Sequence, residues 1–108
     1  MVAGPWAGTL LADLGADVVK VEQPRGGDRM RLLGHRVGSI GALWANVNRG
    51  KRGVVFDLQQ ADGVGLLRDL VARADVFIQN FRPGVAQRLG IDEAARRARK
   101  YGGSLVTA

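Results

Sequence analysis

Four clusters in this sequence carry residue types that can do chemistry. One is Asn80-Phe81-Arg82-Pro83-Gly84, with Arg88 shortly after. Asn80 offers an amide donor and acceptor, Phe81 a flat apolar face for an adenine ring or an apolar chain, and Arg82 and Arg88 positive charge. The same residues also read as a core phenylalanine followed by a Pro-Gly turn, and residue types leave the two readings level. A second cluster is Glu22-Gln23-Pro24-Arg25-Gly26-Gly27-Asp28, followed by Arg29 and Arg31. Arginine donors match phosphate oxygens, so it reads either as an anion clamp or, as residue types favour, a solvated crossover loop. A third, Asn48-Arg49-Gly50-Lys51-Arg52, sets three cations within four residues and reads as a polyanion contact or, as local grounds favour, a solvated turn. The fourth, Arg96-Arg97-Ala98-Arg99-Lys100, has no interleaved aromatic residue and no nucleic-acid motif, which favours a solvated helix face over nucleic-acid contact.

Other chemistries are excluded or weakened by what the sequence lacks. The 108 residues contain no cysteine, which removes disulfides, thiolate metal ligands and a cysteine nucleophile. A single histidine, His35, cannot build a multi-histidine metal centre, and no metal is expected. His35 has no Ser/Asp pair beside it and reads as a loop or surface residue. Neither a G-x-G-x-x-G nor a Walker A sequence is present. The net charge of +6, from 13 arginines and 3 lysines against 10 acids, points to an anionic partner without choosing one. No apolar run approaches the ~18–20 residues of a membrane span. The N-terminal residues lack the basic n-region of a signal peptide, so no membrane association and a cytoplasmic location are expected.

The elements that must position these clusters alternate. Pro5 suits the first turn of a helix with Leu10, Leu11 and Leu14 on its apolar face, ended by Gly15. Asp17 to Glu22 is a β-branched strand. Gln23 to Gly38 reads as a long loop with one helical turn near Met30–Leu33, and Ile40 to Val47 as helical. Gly53 to Leu58 is a second strand. Asp62 is expected to cap a helix with Val64, Leu67, Leu70, Val71 and Ala74 as its stripe. Asp75 to Gln79 is a third strand, Val85–Leu89 a short helix closed by Gly90, and Asp92 to about Tyr101 a last helix. Leu105-Val106-Thr107 forms a final strand. Strands separated by helices imply βαβ units and a parallel sheet, which binds ligands at the carboxyl ends of its strands. Three loops lie there, after Glu22, after Leu58 and after Gln79.

Taken in order, these segments resemble a known family. L-A-D-L-G-A-D-V-V-K-V-E-Q-P-R-G-G-D, N-R-G-K-R-G-V-V-F-D-L and A-D-V-F-I-Q-N-F-R-P-G-V-A-Q-R-L-G-I-D follow an early A-G-P. The set is similar to the amino-terminal part of class III CoA-transferases, the CaiB/BaiF family, which includes formyl-CoA transferase and alpha-methylacyl-CoA racemase. The match covers about residues 3–92, leaving 93–108 as a divergent tail. It implies an α/β fold, a Rossmann-like parallel sheet with flanking helices, truncated at both ends. It also implies coenzyme A as ligand, acyl-CoA and carboxylic acids as substrates, and interlocked homodimers for the full-length family. By resemblance, Phe56, Asn80, Phe81 and Arg88 are CoA contacts. Gln23 and Gln59 stand where family members often carry an arginine and a lysine, with Arg25 or Lys51 as replacements for the lost charge.

The family nucleophile is an aspartate, expected beyond the residue corresponding to Ala108. Asp57 and Asp75 read as strand-end and helix-exit residues, so no catalytic residue is assigned. The expectation is a partial CoA-binding domain spanning 1–108 and inactive alone. The alternatives are a racemase-type fragment, a CoA- or nucleotide-binding module without chemistry, a basic nucleic-acid-binding domain, and the functionless remnant of an interrupted gene.

Overall fold

Three valines make the centre of the sheet. In the computed structural model, which describes residues 2–91 and 105–107, Val18, Val19 and Val21 are all 7 % exposed or less. They lie on β1 (Val18–Glu22), a strand covered on both faces, as parallel strands are. On one side β1 pairs in parallel with β4 (Arg52–Val55), Val21 opposite Val54. On the other it pairs in parallel with β6 (Leu105–Thr107), which pairs in turn with β5 (Val76–Ile78). The order β4-β1-β6-β5 is an α/β arrangement with helices flanking a parallel sheet. The final strand expected at Leu105–Thr107 lies inside this sheet, between β1 and β5.

The helix α3 (Ala61–Ala72) joins β4 to β5 and covers one face. Leu67, Val71 and Ala74 of the expected stripe are buried and cluster with Val21 and Ile91. Val54, Phe56, Leu58, Leu70, Phe77, Phe81, Ala86 and Leu89 pack around them. Burying each such aliphatic side chain contributes roughly 1.5–3 kcal/mol against conformational entropy. The helix opens from Gln60 in extended conformation, with no side-chain cap; Asp62 sits in its first turn, where its charge favours the helix dipole, and is not the cap expected.

The opposite side carries α1 (Ala3–Asp13). Of its expected leucine face, only Leu11 is even half-buried. Leu10 and Leu14 are exposed, and the buried residues are Gly4, Gly8 and Thr9. Small residues let the helix backbone approach neighbouring chain closely, and leucines there would hold it off. Thr9 bears on the carbonyl oxygens of Pro5 and Val47. Lys51 Nζ donates to the same two oxygens, at 2.6 and 2.9 Å, and to Asn48 Oδ1 at 3.0 Å.

The segment from Gln23 to Val47 also differs from expectation. The helical turn expected near Met30–Leu33 is present, but the residues from Arg36 to Gly41 are neither loop nor helix. A 3-10 turn at Arg29–Leu32 leads to an antiparallel hairpin of β2 (Arg36–Val37) and β3 (Ile40–Gly41). Helix α2 covers only Ala42–Asn46. Ile40 is β-branched and flanked by the Gly38-Ser39 turn, which suits a hairpin better than a helix start. Strands β4 and β5 are shorter than expected by their outer residues, so Phe56 to Leu58 and Gln79 follow their strands. Helix α4 (Val85–Leu89) ends at Gly90 as expected. The expected helix from Asp92 to Tyr101, with its basic run, lies outside the described residues.

Candidate functional site

A cavity of about 730 Å³ opens at the carboxyl ends of the strands. All three loops singled out by the parallel-sheet rule line it: Gln23 to Leu33 after β1, Asp57 to Gln59 after β4, and Asn80-Phe81 after β5. Pro5 of α1 adds a fourth wall. Most of the lining is apolar, with Val21, Met30, Leu33, Leu58 and Phe81 contributing. Such a surface suits a ligand with a long apolar or aromatic body.

Two ion pairs fix the wall built by the first loop. Alternation along β1 puts Lys20 and Glu22 on one face of the sheet. Lys20 Nζ reaches Asp28 Oδ2 at 2.7 Å, and the Asp28 Oδ1 accepts from the Met30 N–H at 2.9 Å. The Glu22 carboxylate takes both Arg31 donors, Nε at 2.8 Å and Nη2 at 2.9 Å, and also the Asp28 N–H at 2.8 Å. Arg31 lies 3.7 Å from the centre of the Trp44 ring, a cation–π contact that ties the loop to α2. Burial pushes both carboxyl groups up, but these donors outweigh it and hold Glu22 and Asp28 below their ordinary values. The Glu22 hydrogen bonds likewise raise Arg31.

Of the four residues expected to contact a ligand, the structure brings two together at the cavity. Asn80 and Phe81 line it. The Phe81 N–H donates to Gln79 Oε1 at 2.6 Å, which shapes the turn that presents both. A methyl group at Gly4 would stand 3.0 Å from Asn80 Nδ2, so the glycine leaves room for the amide beside α1. Phe56 packs against the core cluster outside the lining, its N–H donating to the Glu22 carbonyl at 3.0 Å. Arg88 is exposed on α4, also outside the lining. Gln23 and Gln59 both line the cavity.

The basic turn at Asn48–Arg52 is a built clamp. Arg49 pairs with Asp13 at 2.6 Å, Arg52 grips Asp17 through two donors, and Lys51 is spent on three oxygens. Burial, with the nearby Lys20 charge, pulls Lys51 down to about 8. His35 is exposed, and its carbonyl accepts from the Ala42 N–H at 2.8 Å. Asp57 lines the cavity with Oδ1 accepting from the Gln59 N–H at 3.0 Å, and Asp75 stands after α3, immediately before β5. No group of metal-ligating side chains occurs among the described residues, and none of their helices is long and apolar enough to cross a membrane.

Sequence reasoning missed Lys20, which is 8 % exposed, lines the cavity and anchors the loop. The available signal was a lone lysine inside an apolar parallel strand, where an unpaired charge is not tolerated. Met30, Leu33 and Pro5 were missed because nothing in their local pattern says what they face.

Residues 1–102 match the model of CoA-transferase family III. The succinate–glutarate CoA-transferase of Agrobacterium fabrum is 43% identical over 104 residues, covering 90% of this chain and 26% of that protein. The human succinyl-CoA:glutarate CoA-transferase is 38% identical over 92 residues, covering 84% of this chain and 21% of that one. Among solved structures, a CaiB/BaiF family protein from Brucella suis superposes with a TM-score of 0.77 at 40% identity, over 90% of this chain and 27% of that chain. Rv3272 from Mycobacterium tuberculosis gives 0.75 at 36% identity, over 98% and 28%. The chain thus spans about a quarter of the length of the relatives it matches.

Proposed function

Since this chain belongs to CoA-transferase family III, we propose that it is the coenzyme A-binding portion of an enzyme that moves CoA between an acyl-CoA and a carboxylic acid. The observation that carries this reading is the cavity at the ends of three parallel strands, with apolar walls and with Asn80 and Phe81 at its lining. Coenzyme A joins an adenine, phosphate groups and a long, thin pantetheine arm. That combination needs a flat apolar face, amide donors and cations in one cleft, and the lining offers all three. Phe81 serves the aromatic ring or the arm, and Asn80 fixes orientation through its amide. Phe56 backs the site from the core. Arg88 adds charge outside the cavity.

The chain by itself is proposed to bind CoA without turnover, because no aspartate here matches the family's nucleophile motif. The competing nucleic-acid reading loses its basic turn, since Arg49, Lys51 and Arg52 are all engaged within the fold.

Calorimetric titration of the 108-residue chain with CoA tests the proposal. Saturable one-site binding is expected, weakened about tenfold by Phe81→Ala, given that aromatic stacking on a base is worth ~1–3 kcal/mol. Mixing the chain with succinyl-CoA and glutarate is expected to yield no glutaryl-CoA. No CoA binding, or binding unaffected by Phe81→Ala and Asn80→Ala together, would overturn the assignment.

A further inference from the structure

We propose that Arg25 and Arg29 form the phosphate-gripping arm of the cavity, taking the diphosphate of a CoA-type ligand between their guanidinium groups. The inference rests on the CoA reading and deepens it by assigning the charge that holds the ligand's anionic part.

Some of the cations in and beside the cavity are already paired. Three basic residues line the cavity: Lys20, Arg25 and Arg29. Lys20 is buried against Asp28 at 2.7 Å. Arg31, next along the loop, is held in a two-donor pair by Glu22. Those pairs consume Glu22 and Asp28. Asp57, the remaining carboxylate of the lining, accepts from the Gln59 N–H. Arg25 and Arg29 therefore have no carboxylate partner among the described residues, and both are exposed at the edge of a largely apolar cavity. An arginine stays charged at any ordinary pH, and its planar fork meets two phosphate oxygens at once.

The backbone between the two arginines is held in shape. Gly26 and Gly27 take φ of +78° and +64°, a conformation side chains oppose. A methyl group on Gly27 would collide with Glu22 Oε2 and with Arg31 Nε at 2.9 Å. The double-glycine turn thus folds over the Glu22–Arg31 pair and sets one arginine on either side of itself. Gln23 Nε2 closes the turn by donating to the Gly27 carbonyl at 3.2 Å. The two glutamines that replace expected family cations, Gln23 and Gln59, line the same cavity without charge. Arg25 and Arg29 supply from the loop what those positions do not.

The test is titration of the 108-residue chain and its Arg25→Ala, Arg29→Ala and double variants with CoA, 3′-dephospho-CoA and ADP. Both side chains are exposed, so the fold should survive, as circular dichroism would verify. Each single variant is expected to weaken CoA about tenfold, and Arg25→Lys less than Arg25→Ala. Wild-type affinity should fall with added salt, and the double variant should lose most of that dependence. If the diphosphate is the group held, 3′-dephospho-CoA will show the same losses; losses confined to CoA would overturn the diphosphate assignment in favour of the 3′-phosphate. Arg73→Ala, on the far end of α3, serves as the control and should change nothing. A double variant that binds CoA like the wild type overturns the arm and leaves the CoA reading standing. Arginine-dependent binding of ADP with no CoA binding overturns the CoA reading and leaves the arm standing. A wild-type chain that binds none of the three ligands overturns both.

Discussion

A lysine in the middle of the most buried strand is an expensive choice. Lys20 loses its hydration in a sheet of valines, and the Asp28 carboxylate at 2.7 Å, with the Glu22 charge nearby, compensates. Removing one partner strands the other, which costs more than the pair contributes. Lys20→Met is therefore expected to lower stability by about 2–3 kcal/mol, and Lys20→Met with Asp28→Asn to recover much of that loss. Urea unfolding of both variants measures the difference. Equal stability of the single and double variants would show that the pair anchors nothing. That Asn80 and Phe81 stand at the cavity was legible at this scale because they follow a clear strand. The Lys20–Asp28 pair was not, since it joins residues eight apart across a loop whose path no local pattern specifies.

Among elements, the loop from Gln23 to Leu33 matters most, because it holds one wall of the cavity through two carboxylates. Both carboxyl groups sit below their ordinary 4.5 and 3.8 in the folded chain. A lowered folded value contributes stability that is fully present above the unfolded value and is lost as pH falls through the folded one. The loop is thus expected to be locked near neutral pH and to loosen progressively as pH falls below those ordinary values. Trp44, stacked on Arg31, reports it: its fluorescence should change across that window. Glu22→Gln should abolish most of the change, because the neutral amide does not titrate; a change that persists unaltered in that variant would place its origin elsewhere. The helices teach a second lesson. The α3 stripe was readable because Leu67 and Val71 repeat at helical spacing and are buried. The α1 face was misread because close packing there uses glycine and threonine, and two of the three expected leucines, Leu10 and Leu14, are exposed. The β2–β3 hairpin was missed although Gly38-Ser39 between Val37 and Ile40 is a two-residue turn signal; its two-residue strands were too short to show a period.

For the whole molecule, the parallel order of the sheet is what turns scattered clusters into one site. Three loops far apart in sequence meet because β1, β4 and β5 all end on the same edge. That convergence followed from the βαβ pattern. What did not follow was the sorting of the +6 charge. The basic turn at Asn48–Arg52 looked as available as the loop at Arg25–Arg31, yet its cations are bound to Asp13, Asp17 and backbone oxygens. Ion pairing between distant segments decided it, and sequence spacing carries no record of those partners. The relatives of similar sequence are CoA-transferases of which this chain spans about a quarter, and holding the ligand is the part proposed for it.

Hydrogen–deuterium exchange of the chain with and without CoA tests that role most directly. Slower exchange is predicted in three segments together, residues 23–33, 56–59 and 79–82, with no change at residues 48–52. Protection confined to the basic turn, or none at saturating CoA, would contradict the account.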